Sequence, residues 1–194
     1  MDKVISLFSM RAVGSKSTSA DFSTADDRAL LGQLKRGNHG ALSEILHRYE
    51  SPLIGYLISI LADRDTAEDI AQDTFLKLIK RPPLILSSGK LKPWLFRVAH
   101  NLARDFQRKH GRTHIVEAVP DEADPTPTAP GSQHDTEVLL SQLSPEIREV
   151  VSLRIYADLS FKEISKQLGI PIGTATWRMK HGLESLRNHI NTAA

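Results

Sequence analysis

Arg97, Asn101, Arg104 and Arg108 recur at steps of three and four along the chain, the spacing that gathers side chains on one face of a helix. Their chemistry is that of nucleic-acid contact. A guanidinium forks onto phosphate oxygens or a guanine edge, and an amide can donate and accept in one plane. Between 92 and 112 the only acid, Asp105, stands against Lys92, Arg97, Arg104, Arg108, Lys109 and Arg112. A solvated helix surface is the plain alternative for such a stripe. Chemistry of other kinds finds less support. His110 and His114 have the i,i+4 spacing of a metal pair, but Gly111 and the segment after it argue against a shared helical face. No glycine-rich phosphate loop, His-Glu-x-x-His or serine-centred motif occurs, so no catalytic residue, metal or cofactor is assigned.

The stripe needs a scaffold, and the same segment supplies one. Leu95, Val98, Ala99, Leu102 and Phe106 form an apolar stripe opposite the cations, so this helix has a side to bury and a side to present. Lys92, Pro93 and Trp94 open it, Gly111 follows its end, and Trp94 is read as a packing anchor rather than a stacking platform. Upstream, Thr24 and Asp27 resemble a capping box before Leu30, Leu31 and Leu34, and Gly37 suits a helix end. A longer helix follows from His39 to about Ile60, with Pro52 as a kink or a restart. Asp65 with Glu68 signals a third start, and the helix Thr66 to Lys80 stops at Pro82 and Pro83, before a loop over 84–90.

Composition changes at 112–135, where five of the chain's prolines and glycines (Pro120, Pro125, Pro127, Pro130, Gly131) replace large apolar residues; this reads as a flexible linker. Beyond it a short helix runs through Leu143, and Ser144 and Pro145 open another bearing Ile147, Val150, Val151, Leu153 and Ile155. Ser160 and Glu163 make a capping box for a brief helix closed by Gly169. The turn 170–173 leads to a last helix whose expected buried stripe is Ala175, Met179, Leu183, Leu186 and Ile190. Two helices across a tight turn, the second longer and basic, form a helix-turn-helix pattern. No strand pattern competes, so the expected fold is all-α, with two small helical domains at 23–111 and 136–192. Residues 1–22, rich in serine, read as a disordered extension.

Bulk properties fit this plan. The 194 residues are 40% hydrophobic, enough for small cores, and no run is apolar enough for a membrane span or a signal-peptide core. The chain has no cysteine, which excludes disulfides and thiolate chemistry and suits the cytoplasm. A formal charge of +2 is mild for a nucleic-acid binder, so the chain is expected to bind DNA weakly unless a partner contributes charge.

Two segments carry a family likeness. Asp65-Thr66-Ala67-Glu68-Asp69-Ile70-Ala71-Gln72-Asp73-Thr74-Phe75, with Trp94-Leu95-Phe96-Arg97-Val98-Ala99-His100-Asn101-Leu102-Ala103-Arg104-Asp105, closely resembles region 2 of bacterial RNA polymerase sigma factors of the extracytoplasmic-function (ECF) class. Leu143-Ser144-Pro145-Glu146, Leu159-Ser160-Phe161-Lys162-Glu163-Ile164 and Ile170-Pro171-Ile172-Gly173-Thr174 resemble region 4 of the same proteins. The likeness covers roughly 24–111 and 136–190 in the family's order.

It implies a function: binding core RNA polymerase, directing it to promoters and assisting their melting, with catalysis left to the polymerase. It also implies an anti-sigma factor that clamps the chain until a stress or envelope signal. By resemblance, Asp69, Gln72, Asp73 and Phe75 dock on the polymerase's largest subunit, with Phe75 open to a core role instead. The same likeness gives Arg97, Asn101, Arg104 and Arg108 to the minus-ten element, Asn101 holding a base flipped from the stack and the arginines holding phosphates. Arg154, Thr174, Trp177, Arg178, Lys180 and His181 are assigned to the minus-thirty-five element. Relatives carry more arginines on that last helix than this chain, so its groove assignment carries over better than its individual base contacts.

Promoter elements of this kind lie about two helical turns apart, on the order of 70 Å. The 112–135 segment reaches about 80 Å fully stretched but only about 27 Å as a coil, so spanning implies an extended linker, and free in solution the two domains should collapse toward each other or be held by an inhibitor. An ordinary helix-turn-helix regulator would explain 136–190 but leave Asp69–Phe75 without a task. A hydrolase would need motifs the chain lacks.

Overall fold

The computed structural model describes Phe22 and residues 24–83, 90–110 and 133–193, and what the sequence implies for 1–21, 84–89, His114 and most of 112–135 lies outside these. Among the described residues there are eight helices and no strand: α1 (Asp27–Lys35), α2 (His39–Leu61), α3 (Arg64–Lys80), α4 (Lys92–Lys109), α5 (Gln133–Ser141), α6 (Pro145–Ala157), α7 (Phe161–Leu168) and α8 (Ile172–Ala193).

Local chemistry explains the boundaries. Asp26, not Thr24, caps α1 by accepting from the Ala29 amide at 2.7 Å. Asp63, two residues before the expected start, caps α3 by accepting from the amide and hydroxyl of Thr66. An aspartate carboxylate at the N-terminus satisfies an orphan N–H and opposes the positive helix end, so the nearest well-placed acid wins. Pro52 neither ends nor restarts α2, which continues through it. The Ser160–Glu163 capping box forms in both directions, and Gly169 takes the left-handed conformation (φ +67°) that ends α7.

In the first half, α2 lies between α1, α3 and α4, around Leu30, Ile45, Leu53, Tyr56, Leu57, Phe75, Leu78, Leu95 and Phe96. The rings of Tyr56 and Phe96 meet at 5.4 Å and a tilt of 52°. Asp27 braces three elements, accepting from the Tyr49 hydroxyl at 2.6 Å and from the Leu91 amide at 2.7 Å. The second contact fixes where the chain enters α4.

In the second half α6 packs against α8, with α5 and α7 alongside. The expected stripe on α8 is displaced. Ala175 and Gly182 are buried and Met179 and Leu186 partly so, but Leu183 is 49% exposed and Ile190 is turned out. Glycine carries no apolar side chain and so is silent in a hydrophobic pattern, yet Gly182 is the contact point. A Cβ there would sit 2.6 Å from Val151 Cγ2 and 2.9 Å from Ile147 Cγ2. These are stiff β-branched side chains in a packed core. Gly182→Ala is therefore expected to lower stability by up to about 2 kcal/mol, overpacking of 1–3 kcal/mol outweighing a gain in helix propensity near 1. A denaturation midpoint above that of the parent protein would contradict this.

The halves also touch. α6 lies along α2, and the buried residues of both belong to one continuous core that joins Leu53 and Phe96 to Val150, Leu153 and Ala157.

Candidate nucleic-acid interface

α4 presents the expected face. Arg97, Asn101, Arg104 and Arg108 are all exposed, while Leu95, Phe96, Ala99 and Ala103 are buried and Leu102 and Phe106 pack partly on the core. Trp94 is partly buried against the core, as a packing anchor should be. Arg108 pairs with Asp105 at 3.0 Å on the open surface, a contact worth little against solvent.

The buried side of α4 includes one residue that the apolar pattern misses. His100 is 6% exposed and its Nδ1 lies 2.9 Å from the Tyr56 hydroxyl and 3.3 Å from Glu149 Oε1 of α6. Burial, with the nearby Arg104 charge, lowers its pKa to about 4, so near neutral pH the ring is uncharged and its contact with Glu149 is not an ion pair. Burial in turn raises Glu149 above the usual carboxylate range, against the pull of Arg104 and Arg178. A cleft of about 400 Å³ opens here, lined by His100, Asn101, Arg104, Asp105, Glu149 and Leu168.

This arrangement makes stability pH-dependent with a definite sign. A histidine whose folded pKa lies below its unfolded 6.5 binds fewer protons when folded, so stability is full above that value and falls as pH drops toward 4. Glu149, raised instead, acts oppositely, so Glu149→Gln isolates the histidine. That variant is expected to lose about 2 kcal/mol between pH 7 and 5, by urea titration at each pH, and addition of His100→Gln should flatten the curve. A curve equally steep without His100 would refute the assignment.

The surface predicted for docking is mixed. Asp69, Gln72 and Asp73 are exposed together on α3. Phe75 is corrected: it is 1% exposed and belongs to the core, because its position places the ring inward against the first-half helices, so it contributes no surface.

On the helix-turn-helix, Trp177 is 54% exposed and stacks on the His181 ring at 3.9 Å, while His181 Nδ1 lies 3.0 Å from the Trp177 carbonyl. Thr174 is half-buried near the start of the same helix, and Lys180 reaches Glu184 at 3.9 Å. Arg178 is half-buried, its charge acting on Glu149. Arg154, at the end of α6, donates to Asp158 at 2.8 Å and to the Leu159 carbonyl at 3.0 Å. Trp177 and His181 therefore form an exposed aromatic ridge on α8, with Arg178 and Lys180 on the same helix and Arg154 on α6.

Sequence reading did not identify the residues through which the halves meet. Ser59 donates to Ser152 at 2.8 Å with both side chains buried, Gln167 donates to the Phe96 carbonyl at 3.3 Å, and the Tyr156 ring covers Gly55 so closely that a Cβ there would lie 2.6 Å from it. The Tyr156 hydroxyl is buried with no hydrogen-bond partner among the described residues, and burial raises its pKa to about 12. Nothing short of the fold could have flagged Ser59 and Ser152, which are ordinary helix residues far apart in sequence.

Comparison with known proteins settles the family. Residues 45–113 match the model of sigma-70 region 2, and residues 139–188 match that of sigma-70 region 4. The RNA polymerase sigma factor CarQ of Myxococcus xanthus is 30% identical over 80% of this chain and 92% of its own length. The chain belongs to the RNA polymerase sigma factors of the ECF class. ECF sigma factor SigE of Mycolicibacterium smegmatis is 28% identical over 76% of this chain, which spans 60% of SigE's length. Among solved structures, the sigma factor RpoE of Bartonella quintana, in complex with the anti-sigma factor NepR, aligns with TM-score 0.62 and 25% identity, covering 77% of this sigma factor and 96% of RpoE. No described helix of this sigma factor is long and apolar enough to cross a membrane.

Proposed function

We propose that this sigma factor binds core RNA polymerase through Asp69, Gln72 and Asp73 and brings it to promoters with two reading heads. The unit at 23–111 takes the minus-ten element on Arg97, Asn101, Arg104 and Arg108. The unit at 136–192 takes the minus-thirty-five element on Arg154, Thr174, Trp177, Arg178, Lys180 and His181, with 112–135 as the connection. The observation that carries this reading is the exposure of all four polar residues on one side of α4, opposite a side that is buried. Most of that patch meets solvent rather than the core.

Asn101 holds a flipped base and the arginines hold phosphates, fixing register rather than sequence. The chain has no catalytic residue, since phosphodiester formation belongs to the polymerase. Its charge of +2 fits a subunit that relies on the larger enzyme for bulk attraction to DNA. It works in the cytoplasm, and an anti-sigma factor, as NepR is for RpoE, holds it until a stress or envelope signal.

Run-off transcription with purified core polymerase on a genomic fragment library tests this directly. Discrete start sites that depend on the added chain are expected. Their absence on every fragment would overturn the reading.

A further inference from the structure

Trp177 is 54% exposed and takes no part in either apolar cluster, so the fold does not need its ring where it stands. The ring stacks instead on His181, one helical turn on, at 3.9 Å and an interplanar angle of 28°. His181 Nδ1 lies 3.0 Å from the Trp177 carbonyl oxygen. A carbonyl can only accept, so Nδ1 carries the ring's proton and donates it to the lone pair that the helix ladder leaves over. On the neutral imidazole Nε2 is then a bare acceptor, and it has no partner among the described residues. Stack and hydrogen bond together hold the ring in one orientation.

The same arrangement recurs at the end of α4, where Phe106 and His110 stack at 4.2 Å and His110 Nδ1 lies 3.0 Å from the Phe106 carbonyl. An aromatic ring four residues before a histidine is thus enough to set it. What differs is the place: Phe106 packs partly on the core, whereas Trp177 stands outside it. Polar neighbours of the α8 pair are engaged elsewhere. Thr176 donates its hydroxyl to the Ile172 carbonyl at 3.0 Å, Lys180 reaches Glu184 at 3.9 Å, and half-buried Arg178 acts on Glu149.

An unprotonated ring nitrogen has few partners on DNA. Phosphate oxygens have no proton to give, so the contact open to an arginine is closed to it. In the major groove the donors are the amino groups, adenine N6 and cytosine N4. Guanine O6 and N7 and thymine O4 are acceptors, and would face the nitrogen lone pair to lone pair.

Resting on the assignment of α8 to the minus-thirty-five element, we propose that Trp177 and His181 form a single base-selecting unit, in which His181 Nε2 accepts from adenine or cytosine at one position of that element. His181 makes the contact. Trp177 is a positioning residue that holds the imidazole with Nε2 toward the groove. Selection at that position is against guanine and thymine on the strand being read, and it owes nothing to added positive charge.

The test uses a promoter obtained by run-off transcription, its minus-thirty-five element randomised and each template marked by a transcribed barcode. Holoenzyme reconstituted from core polymerase and the full chain transcribes this library in mildly alkaline buffer, where an imidazole is neutral. The parent protein is expected to favour adenine and cytosine over guanine and thymine by at least about fivefold at one position. His181→Ala should bring that ratio to within about twofold and leave the other positions as they were. His181→Arg, which replaces an acceptor with donors, should turn the preference at the same position to guanine, a reversal that no loss of fold can produce. Trp177→Phe keeps a stacking ring and should retain the preference, while Trp177→Ala should at least halve it.

A His181→Ala profile matching that of the parent at every position would overturn the proposal, as would an amino-base preference that survives in His181→Arg or is undiminished in Trp177→Ala. Each of these leaves the assignment of α8 intact so long as the parent still selects bases across the element. A parent protein indifferent to every base there would instead remove that assignment, and the proposal with it.

Discussion

Phe75→Ala is expected to cost about 3–5 kcal/mol of stability, the range for deleting a fully buried ring, and a small helical unit has little to spare. Thermal melting should show it as a large fall in Tm, with loss of polymerase binding following from unfolding. The contrast is with Asp69→Ala combined with Gln72→Ala on the same helix. Both side chains are exposed, so melting should move little while affinity for core polymerase drops. A Phe75→Ala protein that melts normally yet binds polymerase weakly would restore the ring to the interface and contradict the packing described above. Unchanged affinity in the double variant would remove the docking assignment.

Asn101→Ala is expected to reduce open-complex formation by roughly 10- to 100-fold, the equivalent of 1–3 kcal/mol for a lost base-edge contact, with core binding unaltered. The substitution lies on an exposed surface and should leave melting within about 0.5 kcal/mol of the parent. Arg104→Ala should behave differently. A lost phosphate contact weakens all sequences alike and lowers the salt dependence of binding by about one ion. Equal promoter melting by Asn101→Ala and the parent protein, read by a fluorescent base near the start site, would sink the base-holding role.

What the residues reveal in advance follows from the range of the forces involved. The two-faced α4, the Ser160–Glu163 box and the Gly169 stop are local, written within one or two turns, and each is found where spacing places it. Caps at Asp26 and Asp63 shift by two residues because neighbouring acids compete for the same amides. The α8 stripe fails at Leu183 for another reason: a close helix crossing is made by the residue with no side chain, Gly182, and hydrophobicity scales cannot register it. His100 is hidden in the same way, a polar group inside because Tyr56 and Glu149 satisfy it. Of the candidate interface, the cations and Asn101 were legible from period alone. The seam was not, since Ser59 meets Ser152 only after both halves have folded.

The stranded phenol of Tyr156 gives that seam its character. A donor shut away from water without an acceptor costs the packed arrangement about 1–3 kcal/mol. The fit is thus imperfect where Tyr156 meets Gly55, and the contact between the halves is weaker than its buried surface alone would make it.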